Sequence, residues 1–194
     1  MRPAVLALAA ALAAPACTAS DSASCPGTPA ATFRFKGPLV PGADALVAAA
    51  DPFAGLLDCT PDPADPAAPI RYPRLLPPFE ARLSYEDGSG AAALCRANGS
   101  VLSGARTGER SFSVEADADA AILCDSSCVA SLRVVVAGDV GLDGSGEPAS
   151  FVGILVEVLS ETRGACDGCL PAVPDADPPA RACAARYALS GAPP

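Results

Sequence analysis

From Phe79 to Glu86 apolar and polar residues alternate, with Phe79, Ala81, Leu83 and Tyr85 on one side and Glu80, Arg82, Ser84 and Glu86 on the other. A period of two is that of a strand with one face in a core. It returns in SFSVEAD through Phe112, Val114 and Ala116, and more briefly in TFRFK, Thr32 to Lys36. In AAALCRANGSVLSG, Asn98-Gly99 separates two apolar runs, which is the turn chemistry of a hairpin. Asn98-Gly99-Ser100 also matches a glycosylation acceptor, but the turn reading is preferred. Alanine-rich Ala118 to Cys124, then SLRVVVAG and SFVGILVEVLS, predict further strands. The last is apolar on both faces until Glu157, as expected of a central strand. ACAARYALSG closes the set, with Cys183, Ala185, Tyr187 and Leu189 on one face.

Other stretches break this rhythm. Asp44 to Ala50 predicts a short helix with Asp44 near its start. Thr60 to Pro78 is so rich in proline that neither a helix nor a central strand is expected there. Short strands separated by Gly, Ser and Asp turns predict an all-β fold, an antiparallel sandwich or small barrel. A transmembrane barrel is not expected, because aromatics are only 5% and cannot supply interfacial girdles.

The first residues follow a different logic. Met1-Arg2-Pro3 gives a positive start, and the run from Ala4 to Ala14 is apolar without a polar face. That is a signal segment, too short to span a bilayer. Ala14-Pro15-Ala16 before Cys17 resembles the lipobox of bacterial lipoproteins, with alanine at 14 where that family usually has leucine. The resemblance, which covers the first 17 residues, implies a signal peptide over 1–16 and lipidation of Cys17. The small, polar residues that follow predict a tether over 17–31, and the strand pattern a single β-rich domain over 32–194 with the proline-rich loop or linker 60–78. Thr18 stands where an aspartate would favour inner-membrane retention in those lipoproteins, which implies the outer membrane. A general cleavage site at the same place is the alternative, giving a secreted or periplasmic protein.

Cysteine parity bears on that choice. The cysteines are at 17, 25, 59, 95, 124, 128, 166, 169 and 183. Lipidation of Cys17 leaves an even set, Cys25, Cys59, Cys95, Cys124, Cys128, Cys166, Cys169 and Cys183, for disulfides in an oxidising compartment. Proximity in the chain predicts Cys183 with Cys166 or Cys169, a pair within Cys95, Cys124 and Cys128, and Cys25 with Cys59. The segment from about Phe151, a FVGILVEVL strand, a cysteine cluster and CAARYALSG, resembles the C-terminal part of small exported proteins and lipoproteins of high-GC bacteria. That implies an envelope location and a disulfide-bearing β domain, and no activity.

The totals narrow the chemistry. The 194 residues carry 22 acidic and 13 basic side chains, a formal charge of −9, which repels nucleic acid. No histidine is present, so Ser-His-Asp and Cys-His catalysis are excluded. Cys166-Asp-Gly-Cys169 has the spacing of thioredoxin-like redox motifs, but the proline-rich sequence after it cannot form the helix that activates such thiols. Zinc is not expected either, since the cysteines do not form two paired sets. In GDVGLDGSGE, Asp139, Asp143 and Glu147 are calcium candidates on a flexible loop. A glycine-rich hairpin turn at Asp143-Gly144 is the preferred reading. Nothing selects a catalytic pair among Glu80, Glu86, Glu115 and Glu157.

The expectation is therefore an exported, lipid-anchored β domain with a binding or structural role and no cofactor. Its partners would be the membrane, through the anchor, and a protein or small molecule that the sequence does not specify. A thiol-disulfide oxidoreductase using Cys166 and Cys169 is the second reading. A small inhibitor presenting loop 60–78 is the third.

Overall fold

Eight strands follow in chain order: β1 (Thr28–Pro38), β2 (Leu75–Tyr85), β3 (Ala91–Arg96), β4 (Val101–Arg106), β5 (Ser111–Leu123), β6 (Cys128–Leu142), β7 (Pro148–Arg163) and β8 (Ala182–Ala192). The computed structural model of the protein describes residues 25–40, 51–59, 70, 72–123 and 128–194, with the backbone alone for 119–123. Each strand pairs antiparallel with the next, and β1 returns to β8, so the meander closes into a barrel. The all-β antiparallel class is as the alternation predicted. The stretches SFSVEAD and Ala118 onward belong to one strand, β5. The signal segment expected at 1–16, Cys17, the helix expected at 44–50, most of loop 60–78 and Cys124 lie outside the described residues.

Alternation sorts the faces. Along β1, Phe33 and Phe35 are fully buried while Arg34 and Lys36 are exposed. The interior is filled by Phe33, Phe35, Leu83, Leu94, Phe112 and Phe151 with their neighbours. The Phe151 ring lies 5.2 Å from Phe35 and 5.4 Å from Phe112, so rings from three strands meet. Each such side chain contributes roughly 1.5–3 kcal/mol through burial. The outer face carries exposed Arg34, Lys36, Glu80, Arg82, Glu115 and Asp117, which interrupts any apolar band of the kind a lipid-facing barrel needs.

Two glycines make room for the central ring. Gly138 of β6 faces Gly153 of β7, and a Cβ at either would sit 2.7 Å from Cζ of Phe151. The ring lies across backbone where no other residue fits.

The proline-rich segment departs from expectation at its end. β2 begins at Leu75, so Pro77 and Pro78 lie within a strand. Phe35 faces Phe79 but Gly37 faces Leu76, so the register slips there and the prolines occupy the bulge. Pairing with β3 starts only at Ala81, so the bulge requires no ladder donors on that side.

The seam between β1 and β8 is short: Arg34–Lys36 against Ser190–Ala192. Beyond it, the Val40 amide donates to the Arg186 carbonyl (2.9 Å), the Cys59 amide to Ala184 (3.1 Å), and the Ala184 amide to Leu57 (2.9 Å). The strap 51–59 thereby continues the edge that β1 leaves. Phe53 and Leu56 cover the outer face of β7 and β8 at Ile154, Val156, Val158 and Ala184. This is why β7 is apolar on both sides.

Disulfides fasten the ends. Cys25 is joined to Cys95, Cys59 to Cys183, and Cys128 to Cys166. Cys169 is disulfide-bonded as well. None of the groupings expected from chain proximity occurs: Cys183 takes neither Cys166 nor Cys169, Cys25 does not take Cys59, and Cys95 and Cys128 find partners outside their trio. Closure of the barrel, not nearness in sequence, selects the partners. Cys59, Cys128, Cys166 and Cys183 cluster with Ala130, Leu159 and Leu170 to floor one end of the barrel.

Candidate functional site

Hairpin β3–β4 is short, and its loop explains how it ends. The Gly99 amide donates to the Arg96 carbonyl (3.0 Å), and the Arg96 amide to Ser100 (2.9 Å). Gly99 has φ of 86°, the left-handed conformation that a three-residue loop of this kind requires. Asn98 Oδ1 accepts from the Ser100 amide and hydroxyl at 3.1 and 2.8 Å. The predicted Asn98-Gly99 turn is therefore present, with three loop residues.

Because β3 and β4 stop early, β2 and β5 run on past them, each paired on one side only. β3 pairs with β2 only from Ala81 onward, and β4 with β5 only between Ser103 and Arg106. A gap opens in the wall beneath the hairpin. It forms a cleft of about 530 Å³ lined by Leu76, Pro77, Pro78, Phe79, Arg96 and Glu157, with Arg34, Glu80, Ala97 and Asn98 at its margin. That volume is in the range of small-molecule sites.

Two charged residues reach this cleft from inside the barrel. Alternation along β3 sets Arg96 on the face of Ala92 and Leu94, and along β7 sets Glu157 on the face of Phe151 and Leu155. The Arg96 guanidinium lies over the Phe79 ring, 4.7 Å from its centroid. Its Nε is buried and has no hydrogen-bond partner among the described residues. No described carboxylate lies within ion-pair distance of Arg96, although Arg181, Arg133 and Arg186 each have one.

Partial burial governs the electrostatics. It raises the Glu157 carboxyl above the usual range, and the attraction of Arg96 offsets this only in part. It lowers Arg96, with Glu157 acting in the opposite direction. Tyr72 and Tyr187 sit near the same carboxylate. Burial first, and Glu157 second, push both phenols up, Tyr187 to about 12. The Tyr187 hydroxyl donates to the Pro73 carbonyl (3.3 Å), which ties the segment before β2 to the barrel.

The sites singled out in the sequence lie elsewhere. Asp143 Oδ1 accepts from the Ser145 amide (2.8 Å), the Ser145 hydroxyl (2.6 Å) and the Glu147 amide (3.1 Å), so the turn itself occupies this carboxylate. These bonds hold the Asp143 carboxyl below the usual range. Asp139 instead accepts from the Ser111 hydroxyl on β5. Among the described residues, no group of acidic or cysteine side chains, these included, is arranged to hold a metal ion. Cys166 is buried and bonded to Cys128 rather than to Cys169. Glu80, Glu86 and Glu115 are exposed and dispersed over β2, the turn that follows it and β5.

Sequence reasoning did not single out Arg96 or Tyr72. Arg96 occupies an inner-face position in a strand whose other inner residues are apolar, and that was the available signal. No family model, curated protein or solved structure matches the chain.

Proposed function

We propose that the chain is an exported, lipid-anchored protein of the bacterial cell envelope with a non-catalytic binding role, and that the cleft under hairpin β3–β4 takes the ligand. The observation that carries this reading is the disulfide framework around an open cleft. Cys59–Cys183 and Cys128–Cys166 are buried in the floor of the barrel, and such cross-links persist in oxidising compartments. Export agrees with the apolar segment before Cys17, and lipidation with the small residues at 14–16. No histidine is available as the usual general base at neutral pH.

The anchor would hold the barrel close to the bilayer. Cys25 is bonded to the wall, and eight residue steps separate it from Cys17, at most about 28 Å of extended chain. Intact-mass analysis of the membrane fraction tests this. An acylated N-terminus at Cys17 is expected, whereas a soluble product with unmodified Cys17 returns the secreted or periplasmic alternative. Thiol titration of the folded protein is expected to find no labile pair. Labile thiols at Cys166 and Cys169 would favour the oxidoreductase reading instead.

A further inference from the structure

We propose that the cleft binds a small monocarboxylate with a flat apolar body, its carboxylate taken by Arg96 and its body lying along Pro77, Pro78 and the edge of the Phe79 ring. The inference rests on the binding role above and names its ligand class.

Three observations converge. The first is an unspent donor. A guanidinium has five N–H groups in a planar fork suited to two carboxylate oxygens. In Arg96 one face of that plane is covered by Phe79, and the buried Nε has no partner among the described residues. A buried donor without an acceptor is costly, and a turn of the guanidinium that brings Nε to an arriving carboxylate relieves that cost. The ligand must approach in the guanidinium plane, because the ring covers a face.

The second is charge. Arg34 and Arg96 line the cleft together with Glu80 and Glu157, so the lining is formally neutral. A dianion such as phosphate, or a polyanion, would meet uncompensated repulsion from the two carboxylates. A cation would compete with Arg96 for Glu157, whose carboxyl Arg96 already attracts. Against a formally neutral lining, a single carboxylate meets the least uncompensated repulsion of any anion. Arginine stays charged across the working pH range.

The third is shape. Pro77 and Pro78 are fixed in the β2 bulge, and Phe79, covered by Arg96 and stacked on Phe35 at 5.1 Å, presents its edge. These rigid apolar surfaces beside the guanidinium lose little freedom when a planar group covers them.

The test uses the full chain with its disulfides intact and follows backbone amide shifts of Phe79, Arg96 and Ala97. Benzoate is the probe, with benzamide and benzylammonium as the neutral and cationic forms of the same body. Benzoate should give saturable shifts at these amides, while the other two bind at least about tenfold more weakly, as expected on losing a charge-assisted pair. Arg96→Gln should weaken benzoate by at least about tenfold. Glu157→Gln should tighten it by about threefold at pH 7 by removing the opposing charge. This second variant moves affinity in the direction that a folding defect does not. Benzamide or benzylammonium binding as tightly as benzoate would overturn the carboxylate assignment and leave the binding role standing. Absence of shifts with all three would overturn both.

Discussion

The Nε of Arg186 donates to Oδ2 of Asp51 at 2.6 Å across 135 residues of chain, and both side chains are fully buried. The same guanidinium also donates to Asp58 Oδ1 (2.9 Å) and to the carbonyls of Phe53 (2.6 Å) and Leu56 (3.1 Å). One arginine on the outer face of β8 thus satisfies both ends and the middle of the strap 51–58. Its charge is desolvated, but its donors are occupied, which makes a buried ion pair tolerable.

Breaking this clamp from one side should therefore cost more than removing it. Arg186→Met leaves Asp51 buried without its partner, and a loss of about 3–5 kcal/mol is expected. Combining it with Asp51→Leu should recover a large part of that loss. Urea denaturation of the three proteins measures both.

Glu157 predicts a pH dependence with a definite sign. Its carboxyl is raised by burial in the folded state, so the unfolded chain gives up this proton more readily. The favourable contribution is present below the unfolded carboxylate range and is lost as pH rises through the higher folded value. Glu157→Gln should therefore raise Tm at pH 7, and the difference should disappear on acidification below the ordinary carboxylate range. Thermal melts across pH check this. A Tm gain that persists unchanged into acid would show that charge burial is not the cause.

The disulfides should open in order of access. Cys128 and Cys183 are fully buried and Cys166 nearly so, whereas Cys25 and Cys95 are partly exposed. A reductant must reach sulfur, so Cys25–Cys95 should be reduced before Cys59–Cys183 and Cys128–Cys166 under mild conditions. Timed alkylation followed by peptide mapping reads the order.

The glycine pair under Phe151 should resist enlargement. Gly153→Ala brings Cβ against Cζ of Phe151 and the Ala137 carbonyl, and should cost about 1–3 kcal/mol. Gly144→Ala, in open space at a turn, should change stability by no more than about 0.5 kcal/mol. Chemical denaturation of the two variants distinguishes them.

Period-two patterning made the strands legible because each has one face in the barrel, as Phe33 and Phe35 show on β1. Asn98-Gly99 marked its hairpin because a left-handed glycine is a local requirement. Partners far apart in the chain were not legible. Reading ACAARYALSG as a strand with Tyr187 and Leu189 inward leaves Arg186 outward, and nothing local indicates that a strap from residues 51–58 will bury it. Cysteine pairing failed for the same reason, since the seam that joins Cys59 to Cys183 exists only once eight strands have closed. The Arg96–Glu157 cleft also depends on strand ends: it arises where β3 and β4 are shorter than their neighbours, and its two charges come from strands 61 residues apart.

The Cys25–Cys95 bond has a mechanical consequence. Force applied through the N-terminal arm reaches Cys25 and divides there between the start of β1 and, through sulfur, β3. Strand β1 cannot be peeled from the barrel by its leading end, because that end is covalently held two strands away. Load entering through the arm is delivered to the residue next to Arg96, so a protein tethered this way carries tension through the hairpin that borders its own cleft.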